Sequence, residues 1–146
     1  MMFVVDTNIL VYAANEDQGE YDICKPLVEK WCNQTGIWHV TWGILYEFMR
    51  VVTHPRVFVR PWSSSEAWRF IESLLLSPGL VVLTETERHS TVATEFFNAH
   101  RYASGNLIFD VHTAVLMKEH GISTIYTRDS EFHKFSFVSV VDPLKQ

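Results

Sequence analysis

The sequence predicts an α/β fold: a three-layer α/β/α sandwich around a central, mainly parallel sheet. Three observations carry that expectation. Short apolar runs alternate with helix-patterned segments from one end of the chain to the other. The runs are rich in Val and Ile with no polar alternation, as strands covered on both faces require. The connecting segments are long enough for the crossovers that parallel strands need.

Element by element, Phe3-Val4-Val5 reads as a first buried strand. Asp6, Thr7 or Asn8 can cap a helix from Ile9 to about Ala14. Ile23 to Cys32 is amphipathic, with Leu27, Val28 and Trp31 on one stripe, and Gly36 ends the segment. Ile37 to Val40 is a second strand. A helix from about Trp42 to Thr53 stops before Pro55. Ser63-Ser64-Ser65-Glu66 is a capping box opening a helix to Leu76. Val81 to Leu83 is a third strand, and Thr84-Glu85-Thr86-Glu87 a second capping box opening a helix to about Asn98. Asn106 can cap a helix to His120, with Gly121 as its stop. Thr124 to Tyr126 and Val138 to Val141 complete five strands. No repeat, low-complexity tract or linker divides the chain, so one domain over residues 1–146 is expected.

Composition narrows the function. Hydrophobic residues make up 47% and charged residues 20%, enough for a real core. A formal net charge of −5 argues against nucleic-acid binding through bulk charge, but allows a local basic patch beside an acidic metal site. Cys24 and Cys32 lack zinc-type spacing and read as reduced packing thiols, which fits a cytoplasmic protein. No signal peptide is visible, since the first basic residue is Lys25, and no apolar run is long enough to span a membrane.

Four acids are poorly explained by packing: Asp6, Glu47, Asp110 and Asp129, each inside or at the end of an apolar stretch. A buried unpaired carboxylate is costly, so such groups pair with a cation or bind a metal. Asp6 follows the first strand and Asp129 the fourth, at the carboxyl edge where parallel sheets bind ligands. Asp110 lies one turn into its helix, where the dipole favours an anion. Glu47 shares a stripe with Gly43 and Arg50, opposite Leu45, Phe48, Val52 and Trp42. Converged, the four would form an oxygen-only pocket for a hard divalent cation. Each also has a purely structural explanation: helix caps for Asp6 and Asp129, and a solvated pair with Arg50 for Glu47. Asn8 and Thr127 can orient a carboxylate or serve only local turns. The seven histidines show no ligand spacing and read as surface or satisfied core residues. Four arginines stand against Glu66 between residues 50 and 69. Arg50, Arg56 and Arg60, with Phe58 and Trp62, could guide a single strand and stack a base, or form a solvated face over buried aromatics.

The runs Val4-Val5-Asp6-Thr7-Asn8-Ile9-Leu10, Glu47-Phe48-Met49-Arg50-Val51, Gly105 to Ala114 and Thr127-Arg128-Asp129-Ser130-Glu131-Phe132 together resemble a PIN domain. More narrowly they are similar to the VapC toxins of bacterial VapBC toxin–antitoxin pairs. The resemblance implies Mg²⁺- or Mn²⁺-dependent endoribonuclease cleavage by metal-activated water, leaving a 5′-phosphate and a 3′-hydroxyl. It makes Asp6, Glu47, Asp110 and Asp129 the metal site, with Asn8 and Thr127 in support. It also implies a homodimer and a cognate VapB-type antitoxin. Position 111 is often small in related sequences and is Val111 here. Two other readings stay open. One is a metal-dependent phosphatase or receiver domain, although Asn8 replaces the second acid of an Asp-x-Asp pair and no Lys is near. The other is a non-catalytic scaffold acting as an antitoxin-bound repressor partner.

Overall fold

The computed structural model describes residues 1–145. Five parallel strands form one sheet in the order β3-β2-β1-β4-β5, flanked by six α-helices in a three-layer arrangement. The strands are β1 (Phe3–Val5), β2 (Trp38–Thr41), β3 (Leu80–Leu83), β4 (Thr124–Tyr126) and β5 (Ser139–Val141). The helices are α1 (Thr7–Ala14), α2 (Tyr21–Asn33), α3 (Trp42–Val52), α4 (Ser64–Leu75), α5 (His89–Ala99) and α6 (Leu107–Glu119). A 3₁₀ turn covers Ser130–Lys134.

The chain builds outward from β1 through β2 to β3, then returns to the other side of β1 with β4 and β5. The switch point therefore lies between β1 and β4. That is where the carboxyl edge of an open parallel sheet leaves a crevice, because the connections on either side diverge. Register fixes what faces it: Val5 pairs with Tyr126, so the residues after both strands emerge side by side.

Val4, Val5, Val40 and Ile125 are fully buried in the central strands. Aromatic groups fill the space above and below. Phe3, Trp31, Trp38 and Tyr126 pack together under α2, and Phe48, Phe58, Trp62 and Phe70 meet under α3 and α4. Edge-on and tilted geometries dominate, as ring quadrupoles favour. Among the described residues no helix is long and apolar enough to cross a membrane.

Two glycines are dictated by geometry. Gly121 has φ 70° and closes α6 with a Schellman pattern, Ile122 N–H to Met117 O at 2.9 Å and Gly121 N–H to Lys118 O at 3.3 Å. At Gly79 a Cβ would lie 2.0 Å from Gly36 O, so the turns feeding β2 and β3 touch backbone to backbone. Gly43, on the stripe with Glu47, is not forced by packing. A Cβ there would meet Thr41 Oγ1 at 3.6 Å and His112 Nδ1 at 3.9 Å, ordinary contacts.

Most helix ends agree with the local signals. Ser63 and Glu66 form a complete capping box on α4. The second box does not form: α5 begins at His89, with Arg88 at its cap position and no side-chain cap. Glu85 and Thr86 are engaged by His112 and Glu119 of α6 instead. Asn106 precedes α6 but makes no capping bond. Trp42, placed on the buried stripe of α3, is 40% exposed and stacks on Trp68.

Candidate functional site

A cleft of about 290 Å³ opens at the switch point, and Asp6, Glu47, Asp110 and Asp129 all line it, with Thr7, Asn8, Val11, Tyr12, Val51 and Val57. Four separate elements deliver the acids. Asp6 ends β1 and caps α1, Glu47 projects from α3, Asp110 from the first turn of α6, and Asp129 from the turn after β4.

Capping and site placement coincide in two of them. Asp6 Oδ1 accepts from Thr7 N–H at 2.8 Å, which caps α1. Its other oxygen, Oδ2, accepts from Thr127 Oγ1 at 2.7 Å and from Asn8 Nδ2 at 3.4 Å. Asp129 Oδ1 accepts from Glu131 N–H at 2.9 Å and caps the 3₁₀ turn.

Thr127 is fully buried and its hydroxyl is fully used. Its single proton goes to Asp6, and its oxygen accepts from Asn8 Nδ2 and Asp129 N–H, each at 2.9 Å. Asn8 is held the right way round because Arg128 N–H donates to its Oδ1 at 3.1 Å. Asn8 and Thr127 thus form one bridge between the carboxylate after β1 and the backbone leading to Asp129. Such a bridge fixes carboxylate orientation without adding charge.

Glu47 stands apart in exposure. Thr7 Oγ1 lies 3.3 Å from Glu47 Oε2, and Arg50 makes an open ion pair with Oε1 at 3.8 Å. Arg50 and Glu47 keep 68% and 47% of their side-chain surface, so this pair holds little energy. Arg56 lies on the exposed loop beside Val57, a residue of the cleft wall. Arg60 lines a different depression with Glu16, Asp17 and Glu66. Phe58 is buried in the aromatic core beneath α3 and α4, and Trp62 packs half-buried against it; both border the depression that holds Arg60.

The electrostatics of the cleft are one-sided. Burial pushes the Asp6 carboxyl up from 3.8 to about 6, against the lowering pull of its Thr127 and Thr7 hydrogen bonds; Glu47 and Asp129 add to the rise. Asp110 is pushed up further. Burial is the main cause, followed by the charges of Asp129 and Asp6, a hydrogen bond shared with Asp129, and the charge of Glu47. Two carboxyls that resist ionising together form a site short of positive charge. A divalent cation bound by oxygen ligands would remove that penalty, so the donor set fits a hard metal.

A second cluster was missed by sequence reading. Glu85, His89 and His112 each offer a ligand atom within 4.8 Å of the others. Glu119, with no side-chain exposure, pairs with His89 Nδ1. His39, by contrast, is a satisfied core residue, with Nδ1 3.0 Å from Phe3 O. Only the i, i+4 spacing of Glu85 and His89 and the i, i+7 spacing of His112 and Glu119 hinted at a cluster, and those two pairs sit on different elements.

Residues 3–138 match the PIN domain family. The chain is 31% identical over 144 residues to Ribonuclease VapC48 of Mycobacterium tuberculosis, covering 94% of both chains. It is 34% identical over 134 residues to Ribonuclease VapC43 of the same organism, covering 92% of this chain and 90% of the relative. A solved structure, VapBC2 from Rickettsia felis bound to a DNA fragment from their promoter, superposes with a TM-score of 0.67 at 16% identity. It covers 97% of this chain and 98% of that one, and shows likeness of fold.

Proposed function

The chain belongs to the PIN-domain family, and from that premise we propose that it is the toxin of a toxin–antitoxin pair, an endoribonuclease that works with a divalent metal. The observation that carries the reading is the convergence of Asp6, Glu47, Asp110 and Asp129 on one cleft with Asp6 and Asp110 held protonated beyond the usual carboxylate range. Those four residues would hold the cation, Mg²⁺ or Mn²⁺ by their all-oxygen chemistry.

When bound, the metal supplies Lewis-acid activation of water and neutralises charge building on the phosphate. The rest belongs to the chain. Thr127 and Asn8 lock Asp6 so that Oδ2 presents a fixed lone pair. Asp110 lies in the first turn of α6, where the positive end of the helix dipole favours its charge. Arg50, paired with Glu47 of the cleft, and Arg56, on the loop next to Val57, would meet phosphates along an RNA strand. Arg60 faces another depression and would touch only a strand running beyond the cleft. Among the described residues, no histidine or lysine lines the cleft. The histidine-assisted route through the RNA 2′-hydroxyl therefore has no base there, and a phosphatase or receiver site has no lysine. Attack by water leaves a 5′-phosphate and a 3′-hydroxyl.

The partner is a VapB-type antitoxin. The likeness of fold to the Rickettsia felis VapBC2 structure supports this. A homodimer and a cytoplasmic location complete the proposal.

The test is cleavage of a susceptible RNA by purified protein, with end-sequencing of the products. Activity with Mg²⁺ or Mn²⁺, its arrest by EDTA and 5′-phosphate ends are expected. Undiminished cutting in EDTA would overturn the metal mechanism. Growth arrest on expression without antitoxin, relieved by Asp6→Asn, tests the toxin role in cells.

A further inference from the structure

The Glu85, His89, His112 and Glu119 cluster lies outside the acid cleft, and none of its members lines that cleft. It is drawn from three elements: the loop after β3, the first residue of α5 and one face of α6. Its two histidines meet edge to face with ring centroids 5.8 Å apart. His112 Nε2 lies 2.8 Å from Glu85 Oε1. His89 Nδ1 is occupied by Glu119, which leaves Nε2 as its free ring nitrogen.

Glu119 is the telling residue. Its carboxylate has no exposed surface, and among the described residues no lysine or arginine side chain pairs with it. Its oxygens are taken instead by His89 Nδ1 and by the Thr86 N–H at 3.1 Å and hydroxyl at 3.3 Å. The Arg88 guanidinium reaches only the Glu119 carbonyl, at 2.6 Å. A buried carboxylate holding one nitrogen of a histidine fixes its tautomer and raises the basicity of the other nitrogen. That is how metal-binding histidines are prepared. Two imidazoles and one carboxylate, all able to reach a common point, make a three-ligand set with nitrogen donors. Such a set favours zinc and its neighbours over the hard ions suited to the acid cleft.

We propose that Glu85, His89 and His112, with His89 oriented by Glu119, bind a Zn²⁺-class ion at a site separate from the acid cleft. The ion replaces the proton shared by His112 and Glu85, and a water completes a four-coordinate shell. Binding ties the β3–α5 loop to α6, the helix that carries Asp110 two residues before His112. The site is independent of the nuclease reading, because its ligands take no part in the cleft.

The test uses the full chain, stripped of metal and freed of chelator, titrated with Co²⁺ as a spectroscopic probe. We expect one equivalent to give the intense visible absorption of a tetrahedral site, and Zn²⁺ to displace it and raise the melting temperature. The absorption should persist in the Asp6→Asn/Asp110→Asn double variant. It should be lost in His89→Gln and His112→Gln, and Co²⁺ should bind about 10–100-fold more weakly in Glu119→Gln. Glu85 is half exposed, so Glu85→Gln reads the same loss even if a histidine variant fails to fold. Absence of the absorption in the parent overturns the proposal. So does absorption that survives Glu85→Gln and disappears in the Asp6→Asn/Asp110→Asn variant, which would place the ion in the acid cleft.

Discussion

The acid cleft and the His–Glu cluster share α6 yet solve the problem of partly buried carboxylates in opposite ways. In the cleft, Asp6, Asp110 and Asp129 face one another, and Arg50 is solvated on Glu47. In the cluster each carboxylate has a histidine: Glu119 with His89, Glu85 with His112. One region holds like charges that a cation can neutralise, and in the other each carboxylate already has a hydrogen-bond partner. Removing a charge should therefore relax the first and damage the second.

The largest expected effect is on catalysis. Asp6→Asn or Asp110→Asn should lower RNA cleavage at saturating Mg²⁺ by at least about a hundredfold, since each removes a charge from the proposed metal site. Retained cleavage in a single-turnover assay would break the comparison at its functional end.

Stability should then separate the two regions. In EDTA, Asp110→Asn should leave the melting temperature unchanged or raise it, because one of several like charges is gone and the amide can still hydrogen-bond. Glu119→Gln should lose about 1–3 kcal/mol, because His89 and Thr86 lose a charged acceptor in a buried position. Urea titrations of both variants decide it. A large loss for Asp110→Asn would mean its carboxylate is paired in the core.

The pH dependence sharpens the contrast. The folded Asp6 and Asp110 hold protons at pH values where the unfolded chain has released them. The folded state therefore binds more protons, and stability falls as pH rises. For Asp6 the fall runs from 3.8 through about 6, and Asp110 carries it higher. The metal-free parent should thus lose stability relative to Asp6→Asn across that window, by up to roughly 3 kcal/mol, and excess Mg²⁺ should cancel the loss. Melts at several pH values, with and without Mg²⁺, test this; a parent gaining stability relative to the variant would reverse the sign.

Thr127→Val should cost less activity than losing an acid, about 10–100-fold, by freeing the Asp6 carboxylate and leaving Asp129 N–H and Asn8 without their acceptor. Thr127→Ser should restore most of it. The smallest effect is expected at the exposed Glu47–Arg50 pair: Arg50→Gln should change stability by about 0–1 kcal/mol and weaken RNA binding more than turnover.

The two capping boxes show where sequence legibility ends. Ser63 to Glu66 and Thr84 to Glu87 carry the same local signal, and only the first becomes a cap. Ser63 and Glu66 are solvated, so nothing competes with their own backbone. Thr86 and Glu85 lie against α6, where Glu119 and His112 take their hydrogen bonds, and α5 starts later.

The sequence by itself determined the alternation of elements, the burial of the central strands and the placing of Asp6 and Asp129 at strand ends, because strand pattern and capping are local properties; it overstated the cover of the edge strands β3 and β5, which stay partly exposed. It also marked Asp110 and Glu47 as acids in apolar surroundings. The tertiary structure alone decided that these four meet at the β1–β4 switch point, that Thr127 spends its one proton on Asp6, and that His89 and His112 find Glu119 and Glu85. Those pairings join residues far apart in the chain. Their partners are chosen by how helices pack on the sheet, which no local periodicity encodes.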